Sequence, residues 1–194
     1  TAFTVDESIS LNKSSGDVGT FVLVTGTGYR QYNYVTITFA SDVVVTVPNP
    51  VLTNSNGSFN ASFTIPDVTP GAKTVRATDT IGNAATTTFT VTPAISLSPA
   101  TGRGGTTTTI TGTGFASSST ITIKYNGTLI LTAPTDSTGW FRQAITVPLV
   151  PAGLYTIQAT DTENTTATAP FTVTPTITLS AASGIVGAVV KVTG

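Results

Sequence analysis

The sequence predicts an all-β chain built from tandem β-sandwich repeats, and three observations carry that expectation. Threonine makes up more than a fifth of the 194 residues, while Glu, Lys and Met are scarce or absent. Threonine and the abundant valine are β-branched, which suits a pleated, half-buried surface. Blocks of sequence recur 82 to 86 residues apart, room for about seven short strands per copy. Within each block, apolar and polar residues alternate over short runs bounded by turn residues.

The repeat sets the organisation. Val24-Thr25-Gly26-Thr27-Gly28-Tyr29 returns 86 residues later as Ile110-Thr111-Gly112-Thr113-Gly114-Phe115. Ala77-Thr78-Asp79-Thr80 and Phe89-Thr90-Val91-Thr92-Pro93 return after 82, as Ala159-Thr160-Asp161-Thr162 and Phe171-Thr172-Val173-Thr174-Pro175. The first copy therefore holds four extra residues, between Phe39 and Gly57. Phe3-Thr4-Val5 stands before Ile9 as Phe89 stands before Ile95, so residues 1–6 read as the last strand of a preceding repeat. Residues 7–93 and 94–175 are then repeats one and two. Residues 176–194 read as the first strands of a following repeat, with Val192-Thr193-Gly194 matching Ile110-Thr111-Gly112.

The elements follow in order. Val22 and Val24, Thr108 and Ile110, and Val190 and Val192 occupy one alternating column and should face the core. Phe21 and Leu23 lie on the other face of their strand and should point outward, where repeat two has Thr107 and Thr109. Two uses of that face stand open: a contact surface, or a floor covered by the longer Ala40–Asn56 segment. Tyr125-Asn126-Gly127-Thr128 predicts a hairpin with a type I′ turn, since Asn-Gly tolerates two positive φ angles. Trp140, the only tryptophan, has Ser58 as its counterpart and should point outward beside the inward Phe141. Asp79 and Asp161 fall in the turn between the last two strands. Thr92-Pro93-Ala94 leaves almost no linker, which predicts a semi-rigid array.

Each repeat opens on spaced glycines: Gly16-Asp17-Val18-Gly19, Gly102-Arg103-Gly104-Gly105 and Gly184-Ile185-Val186-Gly187. In the two full copies, Gly-Thr-Gly and an aromatic follow, and Pro99 stands just upstream of the second. This pattern resembles the opening of IPT/TIG-type immunoglobulin-like domains. The Ala-Thr-Asp and Phe-Thr-Val-Thr elements are similar to the closing hairpin of immunoglobulin-like repeats in archaeal and bacterial surface proteins. The resemblance implies immunoglobulin-like sandwiches and a place in adhesins, surface layers (S-layers), filaments or modules attached to enzymes.

Chemistry is excluded more readily than it is found. The chain has no histidine and no cysteine, so neither a histidine-based triad nor a thiolate or imidazole metal site can form. The close acidic pairs are Asp6 with Glu7, on opposite faces of a strand, and Asp161 with Glu163, in a turn; neither suits a glycosidase. Only 9% of residues are charged and the net charge is −1, which argues against nucleic acid. No apolar run approaches the ~18–20 residues of a membrane span. Calcium is the one cofactor to weigh, at Asp79 and Asp161, against the plainer reading that each aspartate bonds its own turn. Sequons stand at Asn12, Asn56, Asn60, Asn126 and Asn164, and attached glycans would help solubilise so uncharged a surface.

The expectation is an extracellular, cell-surface structural segment, not an enzyme: a filament, stalk or surface layer assembled from copies of itself. Phe21, Leu23 and Trp140 are the predicted interface residues. A carbohydrate-binding adhesin using Trp140, or an accessory module of a secreted enzyme, is the alternative.

Overall fold

A computed structural model describes residues 6–194 of the chain, and every regular element in it is a strand. Repeat one runs β1 (Ser8–Leu11), β2 (Ser15–Gly16), β3 (Phe21–Thr27), β4 (Tyr34–Phe39), β5 (Asp42–Val43), β6 (Val51–Leu52), β7 (Phe59–Thr64), β8 (Gly71–Asp79) and β9 (Ala84–Val91). Repeat two follows as β10 (Ala94–Ser98), β11 (Thr101–Gly102), β12 (Thr107–Thr113), β13 (Thr120–Tyr125), β14 (Thr128–Pro134), β15 (Phe141–Thr146), β16 (Gly153–Thr160) and β17 (Thr166–Val173). A last pair, β18 (Thr178–Leu179) and β19 (Val192–Thr193), closes the chain.

Both repeats use the same topology. One sheet has the order β1-β3-β7, matched by β10-β12-β15; the other is β2-β9-β8-β4-β5, matched by β11-β17-β16-β13-β14. The fold is an immunoglobulin-like sandwich in each case. The strand count exceeds the predicted seven because the opening strand splits and, in repeat one, because the counterpart of β14 is broken into β5 and β6, both paired with β4. β1 pairs antiparallel with β3, then the chain crosses and β2 runs parallel to β9; β10 and β11 repeat the manoeuvre. Contacts group the residues into two compact units, one reaching Ala94 and taking in Thr113–Ser119 and Thr135–Trp140, the other holding the rest.

The alternation read from the sequence places the core. Val22 and Val24 are fully buried, as are Thr108 and Ile110, and the repeat-one interior is completed by Phe39, Phe63 and Phe89. The Phe39 ring centroid lies 5.7 Å from Phe63 and 6.2 Å from Phe89, edge and tilted contacts that add to burial. Each such side chain contributes about 1.5–3 kcal/mol by leaving water. Val190 and Val192 correct the expectation: both are exposed. Residues 176–194 supply only β18 and β19, two residues each, and a lone pair of short strands has no second sheet to cover its apolar face. Phe3–Val5, predicted as a strand of another repeat, lies outside the described residues. Among the described residues no helix is long and apolar enough to cross a membrane, which says nothing of strands.

Candidate binding surfaces

The first surface grows from the four-residue insertion. After β4, Ala40 and Ser41 take positive φ and turn the chain into β5, which pairs back onto β4. The chain then leaves that sheet, and Val47 makes an antiparallel bridge to Ser62 at the edge of β7 in the other sheet. The insertion thus straps one open side of the sandwich. Between strap and body lies a groove of about 550 Å³ lined by Phe21, Phe39, Val43, Val45, Phe63 and Pro66, among others, with Asp42 and Asp67 beside them. Phe21 is 57% exposed and Leu23 38%. The strap therefore forms a wall beside Phe21 without covering it. Val43, Val45 and Val47 are exposed too, so repeat one presents a contiguous apolar surface of the kind that marks interaction sites.

The same place in repeat two holds a smaller groove of about 290 Å³, lined by Tyr125, Asn126, Thr128, Leu129, Ile130, Pro148, Val150 and Tyr155. Asn126 and Gly127 both have positive φ, 47° and 85°, the predicted type I′ hairpin. The register slips between Ile123 and Lys124, so Ile130 is an extra residue on β14 and a bulge turns the strand. Tyr125 and Tyr155 stack with centroids 5.2 Å apart and planes 23° apart. The Tyr155 hydroxyl donates to the Pro151 carbonyl at 2.9 Å, which fixes that ring. The Tyr125 hydroxyl is buried with no hydrogen-bond partner, and burial, reinforced by the neighbouring Tyr155, holds its pKa above the ordinary phenol value. No feature of the sequence signalled this orphan, since Tyr and Phe fill a core column equally well.

Trp140 is 37% exposed and lines neither groove. Its loop is organised by Asp136, whose Oδ1 accepts the Thr138 hydroxyl at 2.7 Å and the backbone N–H groups of Thr138 and Trp140 at 2.8 and 3.0 Å. Those bonds, the Thr138 hydroxyl first, hold the Asp136 carboxyl below its ordinary value. Asn54 does the same in repeat one, accepting from the N–H groups of Asn56 and Ser58. Gly139 closes the loop at φ 80°, where a Cβ would collide with the Phe115 carbonyl oxygen.

Asp79 and Asp161 are buried and bind their own turns. Asp79 Oδ1 accepts from the N–H groups of Ile81 and Asn83 at 3.1 and 3.0 Å, while Oδ2 accepts from the Asn83 amide at 3.1 Å. Asp161 Oδ1 accepts from the N–H groups of Glu163 and Thr165. Among the described residues no group of three or more acidic, His or Cys side chains could hold a metal.

All five sequon asparagines are exposed, yet they are not equivalent. Asn12 Oδ1 accepts the Leu23 N–H at 2.8 Å and Asn60 Oδ1 accepts the Thr25 hydroxyl at 2.9 Å. Both side chains are thus engaged in the sheet. Asn126 stands at a hairpin tip and Asn164 in a turn at φ 66°; Asn56 lies in the loop before β7.

Residues 91–175 match the family model of the IPT/TIG domain, so repeat two carries the IPT/TIG resemblance that its glycines suggested. No curated protein matches the sequence. Among solved structures, the chain is similar to the Yersinia pseudotuberculosis adhesin InvE at 13% identity and a TM-score of 0.41, covering 86% of this chain and 58% of that one. It is similar to the D0-D1 domain of Intimin at 16% identity and a TM-score of 0.36, covering 84% and 97%. It is also similar to SGBP-B of the Bacteroides ovatus mixed-linkage glucan utilization locus, solved with a mixed-linkage heptasaccharide, at 17% identity and a TM-score of 0.40, covering 87% and 44%. The chain thus spans little more than half of the InvE chain and less than half of SGBP-B.

Proposed function

We propose that this chain is a structural segment of an extracellular, cell-surface protein, a filament, stalk or surface layer whose immunoglobulin-like repeats space and join neighbouring copies. The observation that carries the reading is the asymmetry of two repeats with one topology. Repeat one exposes Phe21, Leu23, Val43, Val45 and Val47 together, while repeat two replaces Phe21 and Leu23 by threonine. A patch present on one copy only is not demanded by the fold, and a solvated surface gains nothing from it. A patch that meets a different surface on the next molecule makes a head-to-tail contact, which propagates into a filament where the rotation does not close into a ring.

Sequence and site chemistry support a structural role over a catalytic one. The sequence has no histidine or cysteine for acid–base or nucleophilic work, and the buried Asp79 and Asp161 carboxylates accept from their own turns. The near absence of linker at Thr92-Pro93-Ala94 supports fixed spacing along the array. The free sequon side chains at Asn56, Asn126 and Asn164 support a glycosylated surface, and calcium at Asp79 or Asp161 is not needed for the reading. Sedimentation velocity across a concentration series, with electron microscopy of the densest samples, tests the proposal. Growing oligomers or fibres are expected. A monomer throughout overturns it.

A further inference from the structure

We propose that the groove between the β13–β14 hairpin and Tyr155 of repeat two is a binding site for a neutral carbohydrate. The inference goes beyond the assembly reading, because a monomer can bind sugar whether or not it polymerises.

The two repeats provide an internal control. Tyr125 occupies the position of Phe39, and Tyr155 that of Lys73. Phe39 and Tyr125 are both buried, at 1% and 4% exposure, so a phenyl ring is all that packing requires here. The added hydroxyl of Tyr125 is sealed from water and unpaired, a state that disfavours folding and that a phenylalanine would avoid. A ligand that settles into the groove and opens the cover over this atom brings it the hydroxyl or ring oxygen it lacks.

The rest of the groove states what that ligand is. It is lined by no charged side chain, which disfavours phosphates, acidic sugars and ionic peptides. Its walls are Leu129, Ile130, Pro148 and Val150, and Tyr155 presents an aromatic ring immobilised by stacking and by its bond to Pro151. A rigid aromatic with aliphatic neighbours suits the C–H faces of a pyranose. At the rim stand Asn126 and Thr128, exposed and offering both donors and acceptors. An apolar floor with a few convergent polar groups is the pattern of a small-ligand site. A polyol, which donates and accepts at every hydroxyl, matches that rim better than a proline-rich peptide, whose prolines offer a carbonyl acceptor and no N–H.

The test uses the whole 194-residue chain. Isothermal titration and saturation-transfer NMR are run with neutral glucose, galactose and mannose tetrasaccharides, with a tetragalacturonate as the charged probe and an uncharged proline-rich peptide as the protein probe. At least one neutral tetrasaccharide is expected to bind and tetragalacturonate is not. Tyr125→Phe should weaken binding at least fivefold while the far-ultraviolet spectrum is unchanged, since Phe39 shows that the column accepts phenylalanine. Tyr125→Phe with Tyr155→Lys, which copies repeat one, should abolish binding. Should that double variant fail to fold, amide shifts of Asn126, Thr128 and Leu129 on titrating the parent chain decide instead. Trp140→Ser, also a copy of repeat one, should leave binding intact. The proposal is overturned if no neutral sugar binds, if only the peptide binds, if Tyr125→Phe binds as well as the parent, or if Trp140→Ser is the variant that loses sugar.

Discussion

Val47 and Ser62 exchange a reciprocal pair of backbone hydrogen bonds, 2.8 Å from Val47 N to Ser62 O and 2.9 Å in return. That single bridge ties the repeat-one insertion to the free edge of β7, and so builds the outer wall of the larger groove. In repeat two the equivalent residue, Ala144, has no such strap, and its carbonyl accepts the Gln143 side-chain amide at 2.9 Å instead. One edge is closed by chain, the other by a side chain, and both blunt an otherwise exposed sheet edge.

The bridge gives a first prediction. Val47→Pro removes the N–H that satisfies the Ser62 carbonyl, and Ser62 is buried. Losing a buried partner costs about 1–3 kcal/mol, so urea denaturation should show repeat one weakened by that amount. Gln143→Ala, which strips an exposed carbonyl that water can reach, should cost well under about 1 kcal/mol. A Val47→Pro variant as stable as the parent means that the strap contributes no stability.

A second prediction concerns the orphan hydroxyl without any ligand. Tyr125→Phe should leave repeat two as stable as the parent or raise its stability by about 1–3 kcal/mol, the cost of an unsatisfied buried group. The reverse change in repeat one, Phe39→Tyr, should lower stability by a similar amount, because Phe39 packs among Phe63 and Phe89. Thermal denaturation followed by circular dichroism reads both. If Tyr125→Phe destabilises, the hydroxyl has a partner in solution.

Much of the fold was legible in the sequence because alternation and turn chemistry are local. Val22 and Val24 betray their facing by flanking residues, and Asn126-Gly127 fixes its hairpin by backbone preference alone. What was not legible depends on partners far along the chain. Nothing local in Ser15-Gly16 says that it leaves one sheet to run parallel to Thr90-Val91 in the other. Whether the Ala40–Asn56 segment covers Phe21 and Leu23 stood open in the sequence, and the bridge from Val47 to Ser62 sets it beside them with Val43 and Val45 exposed. The Asp136 loop does carry a local signal. Asp136-Ser137-Thr138-Gly139 and Asn54-Ser55-Asn56-Gly57 share an Asx residue three before a glycine, and side-chain bonding to the following N–H groups follows from that.

That loop supplies a third prediction. The Asp136 carboxyl is held below its ordinary value by the Thr138 hydroxyl and by backbone N–H groups including that of Trp140. A depressed folded-state pKa means that its contribution is present above the unfolded value, about pH 4, and is lost as pH falls through the lower folded value. The Trp140 emission should therefore hold steady down to about pH 4 and change below it. Asp136→Asn, which copies Asn54, should remove that change. Emission that shifts equally in the variant assigns the transition to another group.

Alkali tests the opposite sign at Tyr29. Burial, the dominant cause, pushes its phenol up to about 12, and its hydroxyl donates to the Ala77 carbonyl at 3.3 Å. The unfolded chain releases this proton near pH 10 while the folded chain retains it, so stability should fall as pH rises from about 10 towards 12. Tyr29→Phe should flatten the slope over that window relative to the parent. If both chains lose stability in parallel, Tyr29 is not the group responsible.

The assembly surface gives the last prediction. Phe21 and Leu23 alternate with Val22 and Val24 on β3, so the inner pair can keep the sandwich while the outer pair is changed. Phe21→Thr with Leu23→Thr copies Thr107 and Thr109 on β12, a strand of the same length in the same sheet position. Threonine has good strand propensity, and the removed side chains are exposed, so circular dichroism and the denaturation midpoint should change little. Assembly should suffer more. Covering an apolar side chain of this size is worth about 1.5–3 kcal/mol when it is fully buried. These two are partly covered already, so a loss of about 2–3 kcal/mol for the pair is a fair expectation. That moves the concentration needed for association by roughly 30- to 150-fold at 1.4 kcal/mol per decade, a shift that sedimentation velocity resolves easily. A folded variant that associates at the same concentration as the parent excludes Phe21 and Leu23 from the contact. The exposed valines of the strap are then the surface to substitute next.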